Sequence, residues 1–351
     1  MCLNSLTSIL KSNHKFMNWN YFIGIDVSKL SVDICILLGK EKVLSKSIEN
    51  NPKALLKFWK EASKGLIGFK SEHILCCMEH TGIYNAHLLS FFTEKNVAIC
   101  LENPTHIKLS GGLQRGKTDE VDAERIAVYA YKEKETLKLW TPTREVVKKL
   151  KHLSVLRVRL IDAKKMLSVP TKEMNEFDKQ SARLISKMCE KTLRQIDKDL
   201  KAVEDNIQKI IDEDETLKRL FEIITSVSGI GAVTAVEIII TTNEFKNINS
   251  AKKYACYSGL APFEHSSGTS IRGKARVSHR ANKRVKTLLH MAALTAINYN
   301  ADMNIYYKRK VDEGKNKMLI INAVRNKLVQ RIFACINDNR FYQKNYQYSL
   351  A

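Results

Sequence analysis

Three short apolar segments in the first third of the chain constrain its fold more than any other feature. They are 21–38, which contains two strands around a polar turn at Ser28–Ser31, then 74–78 and 97–101. Helical patterns cover 53–64, about 84–95 and a segment from Thr118 past Tyr131. The apolar runs are rich in Ile and Val and too apolar for an exposed hairpin. Strands that alternate with helices predict an α/β domain with a largely buried sheet, ending near Pro142.

A regular repeat of apolar residues predicts long helices in the middle of the chain. The repeat has spacings of three and four residues and is formed by Leu193, Ile196, Leu200, Val203, Ile207 and Ile210. This is the a/d pattern of a coiled coil, and a similar pattern starts at Leu156 before Pro170. We expect a long antiparallel helical hairpin or coiled coil, which serves either as an intramolecular spacer or in self-association.

Shifts in composition divide the chain into four parts. The parts are an N-terminal extension (1–18), the α/β domain (19–142), a coiled-coil helical segment (143–222) and a mostly helical C-terminal domain (223–351). The fold class is therefore α/β followed by α.

The net charge is the least ordinary part of the composition. The 351 residues include 58 Lys and Arg against 37 Asp and Glu, a formal charge of +21. Such a positive field favours a polyanionic partner, most often DNA or RNA, although a generally basic cytosolic protein also carries it. No apolar run is long enough to span a bilayer, and the eight Cys lack zinc-ligand spacing. We therefore expect a cytoplasmic protein with reduced thiols and no membrane partner.

Four carboxylates stand out by their positions. Asp26 ends the first apolar strand, Glu79 follows another, and Asp119 and Asp122 lie three residues apart on one helical face. Carboxylates at strand ends of an α/β domain gather at one edge of the sheet, where sites usually form. They repel one another unless a cation lies between them, and hard divalent ions take oxygen ligands. The set indicates a Mg²⁺ site, and two such ions about 4 Å apart can assist phosphodiester displacement.

Each carboxylate also has an ordinary structural explanation. An Asp after a strand is often a cap or turn residue, and Glu79 can be a plain loop residue. Asp119 and Asp122 can simply be acidic residues at a helix N-terminus. Only their order along one α/β domain favours a metal site.

The most basic stretch of the chain is 266–284, SSGTSIRGKARVSHRANKR, which contains no carboxylate. Read alone, it is a solvated basic loop of a nucleic-acid-binding protein. The residues of this stretch that could bind a phosphate backbone are Arg272, Lys274, Arg276, Arg280, Lys283 and Arg284. Outside the stretch, Lys117, which precedes Asp119 and Asp122, is a further candidate. Gly229 and Gly231 form a GxG turn between helices, which is typical either of a phosphate-binding helix-hairpin-helix or of tight packing.

The order of these motifs resembles one family of enzymes. GIDVSK, MEHTGIY and KTDEVDA, followed by the block from SVSGIG to HMAAL, resemble the bacterial insertion-sequence transposases of the DEDD type, which include the Piv-like DNA invertases. The two blocks cover roughly 20–135 and 220–297 and are joined by the expected coiled-coil segment. The resemblance implies a RuvC-like N-terminal domain with an RNase H fold and a C-terminal transposase domain.

The resemblance also implies site residues and partners. Asp26, Glu79, Asp119 and Asp122 match the family's metal-binding positions for Mg²⁺ or Mn²⁺, and Ser267 matches its nucleophilic serine. Gly268 would permit a close approach of the backbone to phosphate. Family members act as tetramers, built as dimers of dimers, on donor and target DNA that pair with an element-encoded bridge RNA. The expected location is the bacterial cytoplasm, at the nucleoid.

The implied activity is DNA strand cleavage and rejoining that excises and integrates an insertion sequence. Ser266 precedes Ser267, so the nucleophile has a one-residue ambiguity. Two other functions stay open at this point. One is a RuvC-like metal nuclease or junction resolvase that uses water and leaves no covalent protein–DNA adduct. The other is a non-enzymatic nucleic-acid-binding protein, whose carboxylate variants would function normally.

Overall fold

The computed structural model describes residues 18–111, 118–267, 271–277 and 281–344, and for 264–267 and 271–276 it describes the backbone alone. The strands are β1 (Tyr21–Val27), β2 (Ser31–Leu38), β3 (Glu41–Glu49), β4 (Ile74–Glu79), β5 (Ala98–Glu102), β6 (Pro262–Ser267) and β7 (Ile271–Val277). The helices of the first unit are α1 (Pro52–Gly65), α2 (Ala86–Glu94), α3 (Pro104–Ser110) and α4 (Asp119–Glu133). Those of the second are α5 (Glu145–Phe177), α6 (Lys179–Glu213), α7 (Glu215–Ser226), α8 (Ala232–Thr242), α9 (Ala251–Tyr257), α10 (Lys283–Tyr299), α11 (Ala301–Asp312) and α12 (Lys317–Asn337).

The first compact unit, up to Pro142, is built on a five-stranded sheet in the order β3-β2-β1-β4-β5. β1, β2 and β3 pair antiparallel, whereas β4 and β5 run parallel to β1. Helices cover both faces, which explains why the inner strands are apolar along most of their length. This mixed sheet confirms the predicted α/β domain and has the strand arrangement expected of an RNase H fold.

Each face of the sheet has its own core. On one face, Ile23 of β1 packs with Phe58 of α1 and Phe92 of α2. On the other face, Phe22 packs with α4 through residues such as Ala127. Alternate residues of β1 therefore belong to opposite faces, as the period of a strand requires.

β3 is a strand that the sequence analysis missed. Its sequence, EKVLSKSIE, carries four charges and no continuous apolar run, and most of its residues are exposed or half-buried. It pairs only with β2 and lies at an edge of the sheet. Charged side chains are common on edge strands because they discourage pairing with other chains.

The second compact unit, from Thr143, begins with the long helical hairpin that the heptad pattern predicts. α5 and α6 pack along each other, and Ile196 and Val203 of the predicted seam are buried. Pro170 lies inside α5 and does not end it, although proline removes one helical hydrogen bond. Val147 at the base of α5 belongs to the same core as the C-terminal helices, so the hairpin and the C-terminal region form one unit.

Part of the basic stretch 266–284, for which the sequence predicts a loop, belongs to a two-stranded hairpin. β6 and β7 pair antiparallel, with Ser266 opposite Arg272 and Ser267 opposite Ile271. The dense charge concealed the pattern of β7, IRGKARV, in which small or apolar residues alternate with cations. That period of two is a strand signal.

Four of the buried cysteines, Cys35, Cys76, Cys77 and Cys100, lie in strands of the first unit. Burial raises the pKa of Cys35 to about 11 and raises that of Cys76. A hydrogen bond with Cys100 and burial both raise the pKa of Cys77. Within the described part of the chain the cysteines are unpaired, and no helix there is long and apolar enough to cross a membrane.

Arg144 joins two carboxylates at the base of the helical hairpin. Its Nη1 and Nη2 donate to the two carboxylate oxygens of Asp214 at 2.8 and 2.9 Å, and its Nε donates to Glu244 at 3.0 Å. The Glu244 side chain is only 1% exposed and also pairs with Lys246 at 2.9 Å. Glu244 lies in a turn of left-handed residues with φ of 56°, a conformation that needs support from its surroundings.

Removal of Arg144 is expected to destabilise the second unit. In an Arg144→Met protein the buried Glu244 keeps Lys246 as its one ion-pair partner among the described residues. We expect a loss of about 2–3 kcal/mol in the free energy of unfolding, since Arg144 is partly exposed. Arg144 also holds the pKa of Asp214 below its ordinary value, so this stabilisation exists at neutral pH and is lost as acid protonates Asp214. The difference between variant and wild type, measured by urea denaturation, should therefore shrink below about pH 4. A pH-independent difference would contradict this assignment.

Candidate active site

Parallel strands bring acidic residues to one edge of the sheet in the first unit. The registers pair Ile25 of β1 with Met78 of β4, and Glu79 with Glu102 of β5. Asp26, the residue after Ile25, therefore lies beside Glu79 at the carboxyl ends of the strands. Asp26 and Glu79 are both half-buried. The structure thus brings the two predicted strand carboxylates together at the edge where α/β sheets usually bind ligands.

Both carboxylates lie on the sheet face that packs against α4. Ile25 and Met78 belong to the core of the opposite face, and successive strand residues alternate between faces. α4 approaches closely because Gly24 has no side chain. A Cβ at Gly24 would lie 2.2 Å from the Ala123 carbonyl oxygen and 2.2 Å from the Ala127 nitrogen. This contact holds the first turn of α4 near the end of β1.

The first turn of α4 supplies the other two predicted carboxylates. Thr118 caps the helix through its side-chain oxygen, so that α4 begins at Asp119. Asp119 is exposed and Asp122 is half-buried. Burial, and then the negative charge of Asp119, raise the pKa of Asp26, with smaller contributions from Asp122 and Asp33 and partial opposition from a backbone hydrogen bond. The charges of the strand and the helix are therefore close enough to act on one another.

Two further carboxylates lie at this edge and were missed by the sequence analysis. Asp33 of β2 pairs in register with Asp26, and Glu102 ends β5. Glu102 accepts a hydrogen bond from the Tyr129 hydroxyl at 3.2 Å and lies 2.9 Å from His106 Nδ1. It therefore ties β5 to α3 and α4. Its position at the end of an apolar strand is the same signal that identifies the other strand carboxylates.

The donor set at this edge suits a hard divalent cation. The predicted ligands are all carboxylates. Burial and, after it, repulsion from Asp119 raise the pKa of Asp26, and a bound cation would relieve this repulsion. Arg125 offsets part of the charge, because its Nη1 lies 2.7 Å from Asp122. Among the described residues, no three His, Cys, Asp or Glu side chains form a ready-made metal site. The residues fit an ion held through few protein oxygens, with water and phosphate as its other ligands.

Two asparagines hold the loops that follow the strand carboxylates. Asn85, which is 1% exposed, donates from Nδ2 to the Glu79 carbonyl oxygen at 2.9 Å. Asn50 donates to the carbonyl oxygens of Ser28 at 2.9 Å and Tyr84 at 3.0 Å, so it ties the loop after β1 to the loop after β4. Neither residue was predicted from the sequence, because no local pattern indicates that an asparagine side chain bridges distant loops.

Substitution of Gly24 is expected to damage the site without removing a carboxylate. In a Gly24→Ala protein the new Cβ collides with the backbone of α4, so the helix must move away from β1. Overpacking costs about 1–3 kcal/mol, and a displacement of about 1 Å costs about 10²-fold in rate. We expect DNA cleavage to fall about 10²-fold and the melting temperature to fall. A Gly65→Ala control, where a Cβ meets nothing within 4 Å, should leave both unchanged. Wild-type cleavage by Gly24→Ala protein would contradict the role of this contact.

The predicted serine and most of the predicted phosphate contacts belong to the second unit. Ser267 ends β6, and Ser266 precedes it. Three of the predicted cations, Arg272, Lys274 and Arg276, are residues of β7. The predicted residues Lys117, Gly268 and Arg280 lie outside the described residues. One short hairpin therefore contains both candidate nucleophiles and three candidate phosphate-binding cations.

The two predicted cations at the start of α10 differ in their surroundings. Lys283 is exposed. Arg284 is engaged inside the unit, because its Nη2 lies 2.7 Å from the Ser154 hydroxyl and 3.1 Å from the Glu237 carboxylate. Glu237 therefore offsets the charge of Arg284, and any phosphate must compete with this ion pair.

The two glycines of the GxG turn also differ. Gly229 has a φ of +94°, and a Cβ there would lie 2.7 Å from the Ala292 carbonyl oxygen of α10, so tight packing explains it. Gly231 is the N-cap of α8, and a Cβ there would meet nothing within 4 Å. The start of α8 is therefore open on this side, as backbone binding of phosphate requires.

Comparisons with known proteins match both units. A model of DEDD transposases of the IS110 type matches residues 23–169, and a model described as "Transposase IS116/IS110/IS902 family" matches residues 221–308. The pilin gene-inverting protein of Moraxella bovis is 24% identical over 329 residues, which cover 92% of this chain and 98% of that protein. An insertion element IS110 protein of Streptomyces coelicolor is 29% identical over 124 residues, 35% of this chain and 30% of that protein. The chain therefore belongs to the IS110/IS116 family of transposases, enzymes that cleave and rejoin DNA.

Proposed function

We propose that this transposase excises and integrates its own insertion sequence by metal-assisted strand cleavage, with Ser267 as the nucleophile and an element-encoded RNA as the guide. The observation that carries the proposal is the convergence of Asp26, Glu79 and the first turn of α4 on one sheet edge. The same chain carries Ser267 at the end of a basic hairpin.

The proposed cleavage exchanges one phosphodiester bond for another. The bond between the serine Oγ and phosphorus forms while the bond between phosphorus and the leaving deoxyribose oxygen breaks. The serine proton passes to water or a base, and the leaving oxygen takes up a proton. Attack by a deoxyribose hydroxyl on the seryl phosphate then rejoins DNA and releases the serine. The number of phosphoester bonds is unchanged, so the reaction requires no ATP.

The carboxylates and the basic residues have separate tasks in this scheme. Transposase domains of the DEDD type depend on divalent metal ions. The ion proposed here is Mg²⁺ or Mn²⁺, held by Asp26, Glu79, Asp119 and Asp122. When bound, it polarises the phosphate and stabilises charge on the attacking and leaving oxygens. Cations of β7, together with Lys283, neutralise the phosphate backbone and fix its position.

Exposed apolar side chains on the segments that follow β1, β4 and β5 support the proposal that the acidic edge is covered during the reaction. Leu30 follows β1, Ile83 follows β4, and Leu109 belongs to α3, which follows β5; their side chains are 78%, 77% and 73% exposed. Exposed apolar patches of this kind commonly mark surfaces that bind a partner. Covering the edge would exclude water from the phosphodiester and so favour attack by serine over hydrolysis.

The covalent intermediate gives the direct test of this function. Purified protein, Mg²⁺, element transcript and end-labelled element DNA are mixed, denatured with detergent and separated by size. We expect label on the protein, lost on protease treatment, with the phosphoryl group on the peptide that contains Ser267. Cleaved DNA without any protein-bound label would indicate hydrolysis by water and would reject the serine mechanism.

The proposed RNA and the proposed tetramer need a separate measurement. The charge of +21 supports a second polyanion, and exposed Met166, Phe177 and Met188 near the tip of the α5–α6 hairpin support self-association. The mass of the purified complex, with and without the element transcript, tests both. A monomer whose recombination does not respond to RNA would reject this part of the proposal.

A further inference from the structure

Arg325 of α12 is a buried cation that has no carboxylate partner among the described residues. The residue is 5% exposed, and its Nε is buried without a hydrogen-bond partner. Its Nη2 lies 2.9 Å from Nδ1 of His290 in α10. Arg144 and Arg284 of the same unit are less buried, yet each pairs with a carboxylate. Because a buried charge without a counter-ion is costly, Arg325 indicates an anion supplied by a partner.

His290 accepts a hydrogen bond from Arg325 but does not balance its charge. Burial and then the positive charge of Arg325 lower the pKa of His290, so the ring is neutral at neutral pH. Arginine only donates, so Nδ1 of His290 accepts and the ring proton lies on Nε2. His290 is half-buried, which places the guanidinium directly beneath a side chain of the surface. The guanidinium and the Nε2–H group together offer donors to an oxyanion.

The loop after α9 approaches both helices one turn away from this contact. Asn322, one turn before Arg325 on α12, donates to the Leu260 carbonyl oxygen at 2.9 Å. A Cβ at the preceding residue, Gly259, would lie 3.8 Å from Nζ of Lys286. Lys286 is one turn before the histidine on α10 and has no ion pair within the part of the chain that the structure describes. A second uncompensated cation therefore lies beside the first.

This group of cations lies close to the start of the hairpin that contains the candidate nucleophile. Leu260 is two residues before Pro262, where β6 begins, and seven residues before Ser267, where β6 ends. At about 3.3 Å a residue, that length of chain spans at most about 24 Å, which matches about seven base-pair steps of duplex DNA. One DNA strand can therefore place a phosphate at Ser267 and another at these cations.

We infer that Arg325, together with Lys286 and the Nε2–H group of His290, binds one backbone phosphate of the substrate DNA a few nucleotides from the reacting bond. A phosphate supplies the missing negative charge, and its oxygens match the planar donors of a guanidinium. Arg325 is then a positioning residue, which fixes the register of the strand on the hairpin without reading its sequence. Binding rests on DNA as the substrate, and the nearness to the reacting bond rests on the proposed role of Ser267.

Stability without nucleic acid separates this role from a structural one. Arg325→Met keeps the aliphatic stem and removes an unpaired buried charge, so the melting temperature should be unchanged or higher. The control is Arg284→Met, which leaves the buried Glu237 carboxylate without its cation and should melt at a lower temperature. An equal fall in Arg325→Met protein would overturn the inference. The same fall in Glu264→Gln, whose side chain lies outside the described residues, would then identify an internal partner.

Single neutral phosphates in the DNA test the contact itself. Cleavage-defective Asp26→Asn protein, with and without Arg325→Met, binds element-end duplexes of about 30 base pairs in which one phosphate at a time is a methylphosphonate. One position should weaken binding about tenfold when Arg325 is present and have no effect in the Arg325→Met protein. The Arg325→Met change should also make the slope of log affinity against log salt shallower by about 1.

A matched control removes a cation from the exposed side of the same helix. Lys327→Met protein should respond to the same methylphosphonate position as the protein with Arg325. Identical responses with and without Arg325, or a response found only when the substituted phosphate is in the element transcript, would overturn the inference. Because the readout is binding by a cleavage-defective protein, failure of the serine mechanism would leave the loss of this response unchanged.

Discussion

Asp26→Asn protein is expected to lose DNA cleavage by at least about 10³-fold while it still binds DNA. Asp26 is the penultimate residue of β1, the central strand of the sheet. It lies beside Glu79 and close enough to Asp119 for the negative charge of Asp119 to contribute, after burial, to its raised pKa. Asparagine keeps the size of the side chain but removes the charge that attracts a divalent ion. Stabilisation of phosphoryl charge by a metal contributes several kcal/mol to catalysis, which sets the size of the expected loss.

A stability measurement separates this catalytic role from a structural one. Without metal, Asp26→Asn protein should melt at the same temperature as wild type or higher, because one repulsive charge has been removed. Addition of Mg²⁺ should raise the melting temperature of wild-type protein but not of the variant. Glu120→Gln, an exposed neighbour of Asp119 that pairs with Lys42, is the control and should retain cleavage. Cleavage by the Asp26→Asn protein in the presence of EDTA would reject the metal site.

Ser267→Ala protein is expected to lose covalent attachment to DNA and, with it, strand joining. In the proposed intermediate the serine Oγ is the protein atom bonded to phosphorus, so its removal should reduce recombination below detection, a loss of at least about 10³-fold. DNA binding and the melting temperature should be unchanged, since the proposed role of Ser267 lies in the chemical step alone.

Ser266→Ala is the control for that prediction. Ser266 and Ser267 are adjacent residues of β6, opposite Arg272 and Ile271 respectively. Recombination should survive Ser266→Ala and fail in Ser267→Ala. The reverse pattern would move the nucleophile by one residue and leave the rest of the scheme intact. Full recombination activity in both variants would reject a covalent intermediate on either serine.

The sequence was sufficient to predict the elements with strong periodic patterns. The inner strands and the heptad seam of α6 bury apolar residues at fixed spacings, and these spacings are visible without a structure. The carboxylates Asp26 and Glu79 were predictable because each ends such a strand. Because β1 and β4 are parallel, their carboxyl ends lie at the same edge of the sheet, and the two carboxylates lie there together.

Other features depend on contacts between distant residues, and the sequence did not indicate them. β3 escaped detection because an edge strand carries polar residues on its exposed side, and β7 because its cations conceal a period of two. The bridges made by Asn50 and Asn85 depend on where loops meet. The ion pair of Arg284 with Glu237 joins α10 to α8, so a residue chosen for its charge has an internal partner.

Gly24 takes no part in the chemistry, but its contact with α4 makes it as intolerant of substitution as the predicted catalytic residues. Any side chain at Gly24 meets the backbone at Ala123 and Ala127, so no residue other than glycine fits there. A genetic screen that scores only loss of recombination would therefore return Gly24 and Asp26 together. The two are distinguished by folding, because substitution of Gly24 lowers the melting temperature and replacement of Asp26 by Asn does not. A residue of this segment can therefore be intolerant of substitution because a helix packs against it, and not only because its side chain takes part in the reaction.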